Sequence, residues 1–456
     1  MPPPMVNKPV STNAPTRPIS DALNWRTWVI DEQFIAALWL CLFLTYTYIG
    51  LNPFAVSEPK KELDESGGAN ALRQIIFLLF WSGSVVLYWR NGDVRNVFKH
   101  PALWVVMLYA TASVGWSVVP GIAIRRVLLL WITTTTLFML TDLAGERLLL
   151  WLARTHLLLL LISLMSIPLL KGARHTFVEE GDPMLVGNWK GIFQHKNHAG
   201  PAQVISILLF VFAYIRSKNP LWMLAIMAAL IFLGFTRSKT TMLLLLPSLA
   251  AGFLFYVSSA SRFRRLMLGF SMVGLVISIA ATQTLWLPRL LKILEDPEAF
   301  TGRAMIWLTM VLALPNYWQL GMGYGSVWQV GESNVLVYFT PLYADWVVTT
   351  AHGHNGYLDV LLSMGVVGFT LVACLFLEPI IRFFLGLGSN SAFQGLYFGY
   401  LAFFVLGNLT ETRILVSDSS YWSFFLILVF LSKTPEFYRM EIKKPHALRS
   451  NSNRAS

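Results

Sequence analysis

Charge is what this sequence has least of. Only 13% of its 456 residues are charged and 55% are hydrophobic, whereas soluble domains carry about 25% charged residues. A water-soluble globular fold is excluded, because so much apolar surface cannot be hidden in one core. Cysteine is nearly absent too. Cys41 and Cys374 both sit inside apolar runs without metal-like spacing, so they read as small core hydrophobes and imply neither a disulfide nor a zinc site. The opening MPPPMVNKPVSTNAPTRPIS is rich in Pro, Ser and Thr and lacks the apolar stretch of a secretory signal. Residues 1–32 therefore read as a disordered cytoplasmic tail that is not cleaved.

What the chain does have is about twelve apolar runs near the ~20 residues needed to cross a bilayer. The first is FIAALWLCLFLTYTYIGL (34–51) and the last ILVSDSSYWSFFLILVFL (414–431). The expected fold class is an all-α polytopic membrane protein of about 12 transmembrane helices. Helices 1–9 fall within 33–285 and helices 10–12 within 354–433. Between them, residues 286–353 form a large extracytoplasmic loop, too long to lack structure when unstructured loops rarely exceed ~12–15 residues, so it should carry short helices. Residues 434–456 read as a basic cytoplasmic tail.

The formal charge of +11 does not point to nucleic acid, because the basic residues fall mostly between spans, where the positive-inside bias explains them. The connection 57–70 carries more acids than lysines, and 90–100 more bases than acids. The first is then outside, the second inside, and both termini cytoplasmic. That alternation leaves Lys190, Lys196, Arg237, Lys239 and Arg303 on the outer face, against the bias; an anionic ligand would account for them. For Lys190, a long translocated loop indifferent to the charge rule explains as much.

Within the outer segment, TGRAMIWLTMVLALPNYW (301–318) reads as a helix with Thr301 as N-cap, Arg303 in the first turn and a stop at Pro315. A cation in the first turn opposes the helix dipole, so Arg303 suits an anion better than a cap. LGMGYGSVWQ (320–329) follows, its three glycines permitting sharp turns and close backbone approach. The glycine spacing is no nucleotide fingerprint, since it stands outside any strand-to-helix unit. Trp328, Tyr338, Tyr343 and Trp346 read as an interfacial aromatic belt, with a sugar-stacking wall as the other reading.

Chemistry concentrates in TTAHGHNGYLDVLLSMGVVG (349–368), where two histidines and an asparagine precede an apolar run. His352 and His354 alternate about a glycine, which allows a metal pair, but no third ligand stands at metal spacing. His354 is either a span cap or a neutral-pH base. Asn355 orients the loop or an acceptor, and Asp359, one turn on, suits a cation inside the bundle. Glu411 and Arg413 form either an exposed ion pair or an acceptor contact. Arg125 and Arg126 either snorkel or steer a diphosphate. Lys196 and Asn197 open a further span, touching phosphate or sugar, with helix capping the other role for Asn197.

Four stretches carry a family resemblance: GIFQHKNHAG (191–200), FTRSKTTMLLLL (235–246), TGRAMIWLTMVLALPNYWQLGMGYGS (301–326) and AHGHNGYLDVLLSMGVVG (351–368). In this order, from about residue 187 to 378, they resemble the O-antigen ligase and Wzy-type polysaccharide polymerase superfamily. SVGWSVVPGIAIRRVLLLW (113–131) and GNLTETRIL (407–415) resemble its exopolysaccharide, succinoglycan-type polymerase branch. One departure is Ser238-Lys239, where many relatives repeat arginine. The resemblance implies a GT-C-like glycosyltransferase of the bacterial inner membrane, inverting and metal-independent, with no cofactor and a periplasmic site. Donor and acceptor would be undecaprenyl-diphosphate-linked glycans, with a chain-length regulator and a flippase as partners. It places the catalytic roles on His354, Arg303 and Arg237, and its polymerase branch favours substrate contact by Glu411 and Arg413; the positions of Lys196, Asn197, Lys239 and Asn355 make them the other candidate substrate contacts. A ligase passing the glycan to lipid A core is the nearest alternative. A flippase or secondary transporter is the alternative of another class, against which the lack of repeat symmetry between the halves counts.

Overall fold

The computed structural model describes residues 31–54, 71–145, 147–176, 185–294, 303–340, 346–387 and 390–434. Among these the secondary structure is helical, with one isolated bridge between Arg174 and Trp189. Helices are forced on such a chain, because lipid offers no partner to a backbone N–H or C=O and each must be satisfied within its own segment. The helices are α1 (Glu32–Ile49), α2 (Ala71–Asn91), α3 (Pro101–Ala112), α4 (Pro120–Ala144), α5 (Arg147–Leu169), α6 (Lys196–Ser217), α7 (Leu221–Thr236), α8 (Lys239–Ser258), α9 (Arg262–Ala281), α10 (Gln283–Leu294), α11 (Arg303–Tyr317), α12 (Gly356–Phe384), α13 (Ser391–Gly407) and α14 (Ser420–Leu431). Eight are long and apolar enough to span a membrane, and α3 with its 3-10 extension to Trp116, α7, α13 and α14 are shorter apolar helices. The protein is an all-α polytopic membrane protein.

Contacts between helix ends collect at two poles. At one, Arg147 pairs with Asp31 at 3.0 Å, Tyr88 and Asn96 donate to Asp142, and Lys433 meets Glu378. At the other, Arg73 pairs with Asp418 at 3.0 Å, Val118 N donates to Met322 O, and Arg303 pairs with Glu411. Each pole holds the ends that successive crossings would bring there.

α8 and α13 meet through glycine, and a Cβ added at Gly252 would lie 2.7 Å from Gly395 O. Small residues let the two backbones approach closely, which is how helices associate where lipid supplies no hydrophobic drive. α12 is broken at Gly365, whose φ is 64° and ψ −171°. There the loop after α11 docks: Met322 N donates to Leu362 O and Val366 N to Trp318 O, both at 2.7 Å. The interrupted backbone is satisfied by protein instead of lipid, the condition for irregular structure at membrane depth.

Several expectations need correction. α11 runs through Pro315 to Tyr317, because proline near a C-terminus disturbs one turn only; Thr301 and Gly302 lie outside the described residues. The last span starts at Ser420 and not at 414, since Ser419 caps it and residues 414–419 form a loop. Cys41 is buried, but Cys374 is exposed on the outer surface of α12. The tails and the acidic connection lie mostly outside the described residues.

Candidate active site

Asn355 starts α12 by accepting from Tyr357 N and Leu358 N, at 3.1 and 3.2 Å, while its amide donates to Leu409 O. The asparagine is spent on orienting the loop. His354, immediately before it, has φ 50°, and Arg237, capping the end of α7, has φ 49°. Such left-handed geometry costs a residue other than glycine about 1–3 kcal/mol and is often found at functional sites.

The His354 ring reaches across to the loop between α13 and α14. Its Nδ1 stands 3.5 Å from Glu411 Oε2, an ion-pair distance and too long for a good hydrogen bond. Glu411 Oε1 accepts from Arg303 Nη2 at 2.8 Å, and Arg303 Nη1 donates to the Thr410 carbonyl. One carboxylate thus stands between an imidazole and a guanidinium. Burial pushes the Glu411 carboxyl up, but the His354 imidazole, Arg303 and Arg413 outweigh it and hold it down at about 2. The group is ionised throughout physiological pH.

Arg413 is 7% exposed, with its guanidinium 4.5 Å over Tyr421 and 5.4 Å over Phe403. Among the described residues its Nη1 has no hydrogen-bond partner, and a buried charged N–H left so is costly. Glu411 and Arg413 are therefore not the exposed ion pair that adjacency suggested. Asn408 Oδ1 takes the N–H groups of Arg413 and Ile414, folding the loop so that Glu411 meets Arg303 while Arg413 lies against the rings.

Asp359 holds the cluster together. Its buried carboxylate accepts from Trp328 Nε1 at 2.5 Å, from Gly353 N at 3.1 Å and from the Thr412 hydroxyl. It binds neutral donors from three loops, not the cation expected. Trp328 is correspondingly neither belt nor wall. Tyr338 is exposed, while Tyr343 and the Trp346 side chain lie outside the described residues. Arg126 likewise does not snorkel: it donates to the carbonyls of Gly325, Trp328 and Gln329 at 2.5, 2.8 and 3.1 Å. Hydrogen bonds from a charged donor contribute about 1.5–3 kcal/mol each, enough to hold the glycine loop, where Gly321, Gly323 and Gly325 have φ of 75°, 95° and 73°.

The remaining expected residues lie at the start of α6 and the α7–α8 turn. His195, not Asn197, caps α6, accepting from Asn197 N at 3.0 Å, while His175 Nε2 accepts from Lys196 N. The sequence motif held His195 in view, but only its extended backbone reveals the cap. Asn197, Arg237 and Lys239 are exposed, Lys196 is half-buried and Lys190 is fully buried. Tyr421 links this region to the cluster by donating to His198 O at 2.9 Å, from beneath Arg413. The structure brings Arg303, His354 and Glu411 into contact and sets Arg413 beside them. It does not bring Arg237 into contact with them.

The third ligand that spacing lacked is supplied in space. Atoms of His352, His354 and Glu411 lie within 4.8 Å of one another, a set able to hold a cation. Against it, Arg303 already neutralises the carboxylate.

Residues 222–373 match the sequence model of a family described as O-antigen ligase. Over that stretch the chain is similar to the O-antigen ligase family. The O-antigen ligase match covers about a third of the chain and contains Arg237, Lys239, Arg303, His354 and Asn355. Lys196 and Asn197 precede it, and Glu411 and Arg413 follow. No curated protein matches the chain.

His352 gives a pH test. Burial, and then His354, push its imidazole down to about 4, whereas an unfolded histidine titrates near ~6.5. The unfolded chain binds a proton that the folded one refuses, so stability falls as pH drops from ~6.5 towards about 4. The midpoint of thermal unfolding in detergent should fall over that window, and fall less steeply in His352→Asn. An equal slope in the variant would contradict the assignment.

Proposed function

We propose that this protein is a glycosyltransferase that polymerises undecaprenyl-diphosphate-linked oligosaccharide repeats into exopolysaccharide at the periplasmic face of the bacterial inner membrane, by inverting, metal-independent transfer. The observation that carries the reading is the Glu411 carboxylate set between the His354 imidazole and the Arg303 guanidinium. With Nδ1 turned to Glu411, Nε2 is left for the substrate. It takes the proton of the acceptor hydroxyl as that oxygen attacks the anomeric carbon, and Glu411 stabilises the imidazolium that forms.

On the opposite side of the sugar the bond to the diphosphate breaks. Arg303 has five N–H donors and spends two on Glu411 and Thr410, which leaves others for phosphate oxygens. Arg413 supplies a second buried cation with an open N–H. Positive charge placed before the reaction stabilises the leaving diphosphate as its charge grows. Arg237 and Lys239, at the same pole, are positioned to attract the anionic donor to this end of the bundle.

Transfer to lipid A core is the second reading, favoured by the O-antigen ligase match itself. The test is to supply the reconstituted protein with a lipid-linked repeat alone. Polymerisation predicts lipid-linked products lengthened by whole repeats, and a ligase gives none until its own acceptor is added. In cells, loss of the gene should leave single repeats on the outer leaflet. Repeats stranded on the inner leaflet would instead identify a flippase.

A further inference from the structure

A cavity of about 640 Å³ lies beside the cluster, between the outer-pole ends of α2 and α4 and the loops 324–329 and 412–418. Its volume is in the range of small-molecule sites, ~300–1,000 Å³. His352 and Thr412 line it, and the His352 ring centroid is 4.1 Å from that of His354. Leu78 and Leu128 line it as well, both exposed on the flank of the bundle. On spans, exposed leucines face lipid, so the cavity borders the bilayer sideways.

Its charge is unlike that of an ordinary lipid-facing crevice. Arg73 and Arg125 both line it. Arg73 is held by Asp418 at 3.0 Å, both side chains partly exposed. Arg125 makes one long bond among the described residues, from Nε to Gly121 O at 3.4 Å. Neither residue belongs to the diphosphate site assigned to Arg303 and Arg413. Arginine in an apolar setting, open to the membrane and forked for paired oxygens, suits a phosphate carried on a lipid.

We infer that this cavity is a second lipid-phosphate site, taking the headgroup of the lipid-anchored acceptor while the donor's diphosphate lies with Arg303 and Arg413. This assignment of roles rests on the transferase reading above. Transfer between two lipid-linked glycans needs two such berths flanking one base, and His352 is the partition between this one and His354. Asp418 holds Arg73 in the empty berth and is displaced when phosphate arrives.

The test measures direct binding to the full-length protein in nanodiscs, with His354→Ala in every sample to prevent turnover. The probe is undecaprenyl diphosphate bearing one sugar, joined through a phosphonate so that it cannot act as donor. Arg125→Gln should weaken binding about tenfold or more, as losing a charged hydrogen bond does. Asp418→Asn should strengthen binding, because Arg73 is released from its competitor; a merely structural pair would leave binding unchanged or weaken it. Unchanged binding in Arg125→Gln, or unchanged or weaker binding in Asp418→Asn, overturns the proposal. So does displacement by phosphatidylglycerol at equal concentration, the mark of ordinary annular lipid, or equal binding of inorganic diphosphate. The berth and the mechanism fail separately. Polymer made normally by the His354→Ala enzyme would remove the base assignment and leave the binding result standing.

Discussion

His354→Ala lowers glycan transfer by about a hundredfold to ten-thousandfold, the range associated with losing a positioned general base. The expectation follows from the ring's placement, with Nδ1 3.5 Å from the ionised Glu411. Alanine removes the base but keeps a Cβ at the left-handed position, so protein abundance should hold while polymer disappears. Chain-length analysis of surface polysaccharide, with lipid-linked repeats measured in the same cells, checks this. Normal chain lengths in the variant would refute the role.

Arg303→Lys lowers the rate by about a hundredfold although the charge is kept, the scale of losing a transition-state hydrogen-bond donor. The guanidinium works in two directions at once, one amino group on the Thr410 carbonyl and the other on Glu411. A lysine head is a compact point charge and cannot span both while still offering a fork to phosphate. Two defects should follow together: poorer stabilisation of the departing diphosphate, and a looser 410–411 loop that no longer fixes Glu411 beside His354. Single-turnover rates with a lipid-linked donor measure the first. Wild-type turnover would remove Arg303 from the diphosphate site.

The two variants act on one unit, because Glu411 touches both side chains. Their combined effect should fall short of the product of the single effects, as for other catalytic groups that work through each other.

Composition and apolar runs determined by themselves that this is a helical, many-times-crossing membrane protein, because lipid compels each crossing to satisfy its backbone locally and that demand is written in consecutive residues. They also picked out the candidate site residues, since a histidine or arginine at the edge of a span is costly enough to stand out. The glycines at 321, 323, 325 and 365 were visible as turn formers. That the first three belong to one loop docked at the break around the fourth was not. Only the tertiary structure decided the partnerships: Glu411 with Arg303 and His354, Arg126 with the glycine loop, Asp359 with three neutral donors, and Arg413 with aromatic rings instead of its sequence neighbour. These join segments far apart in the chain, and contacts of that kind depend on how helices pack, which no local spacing encodes.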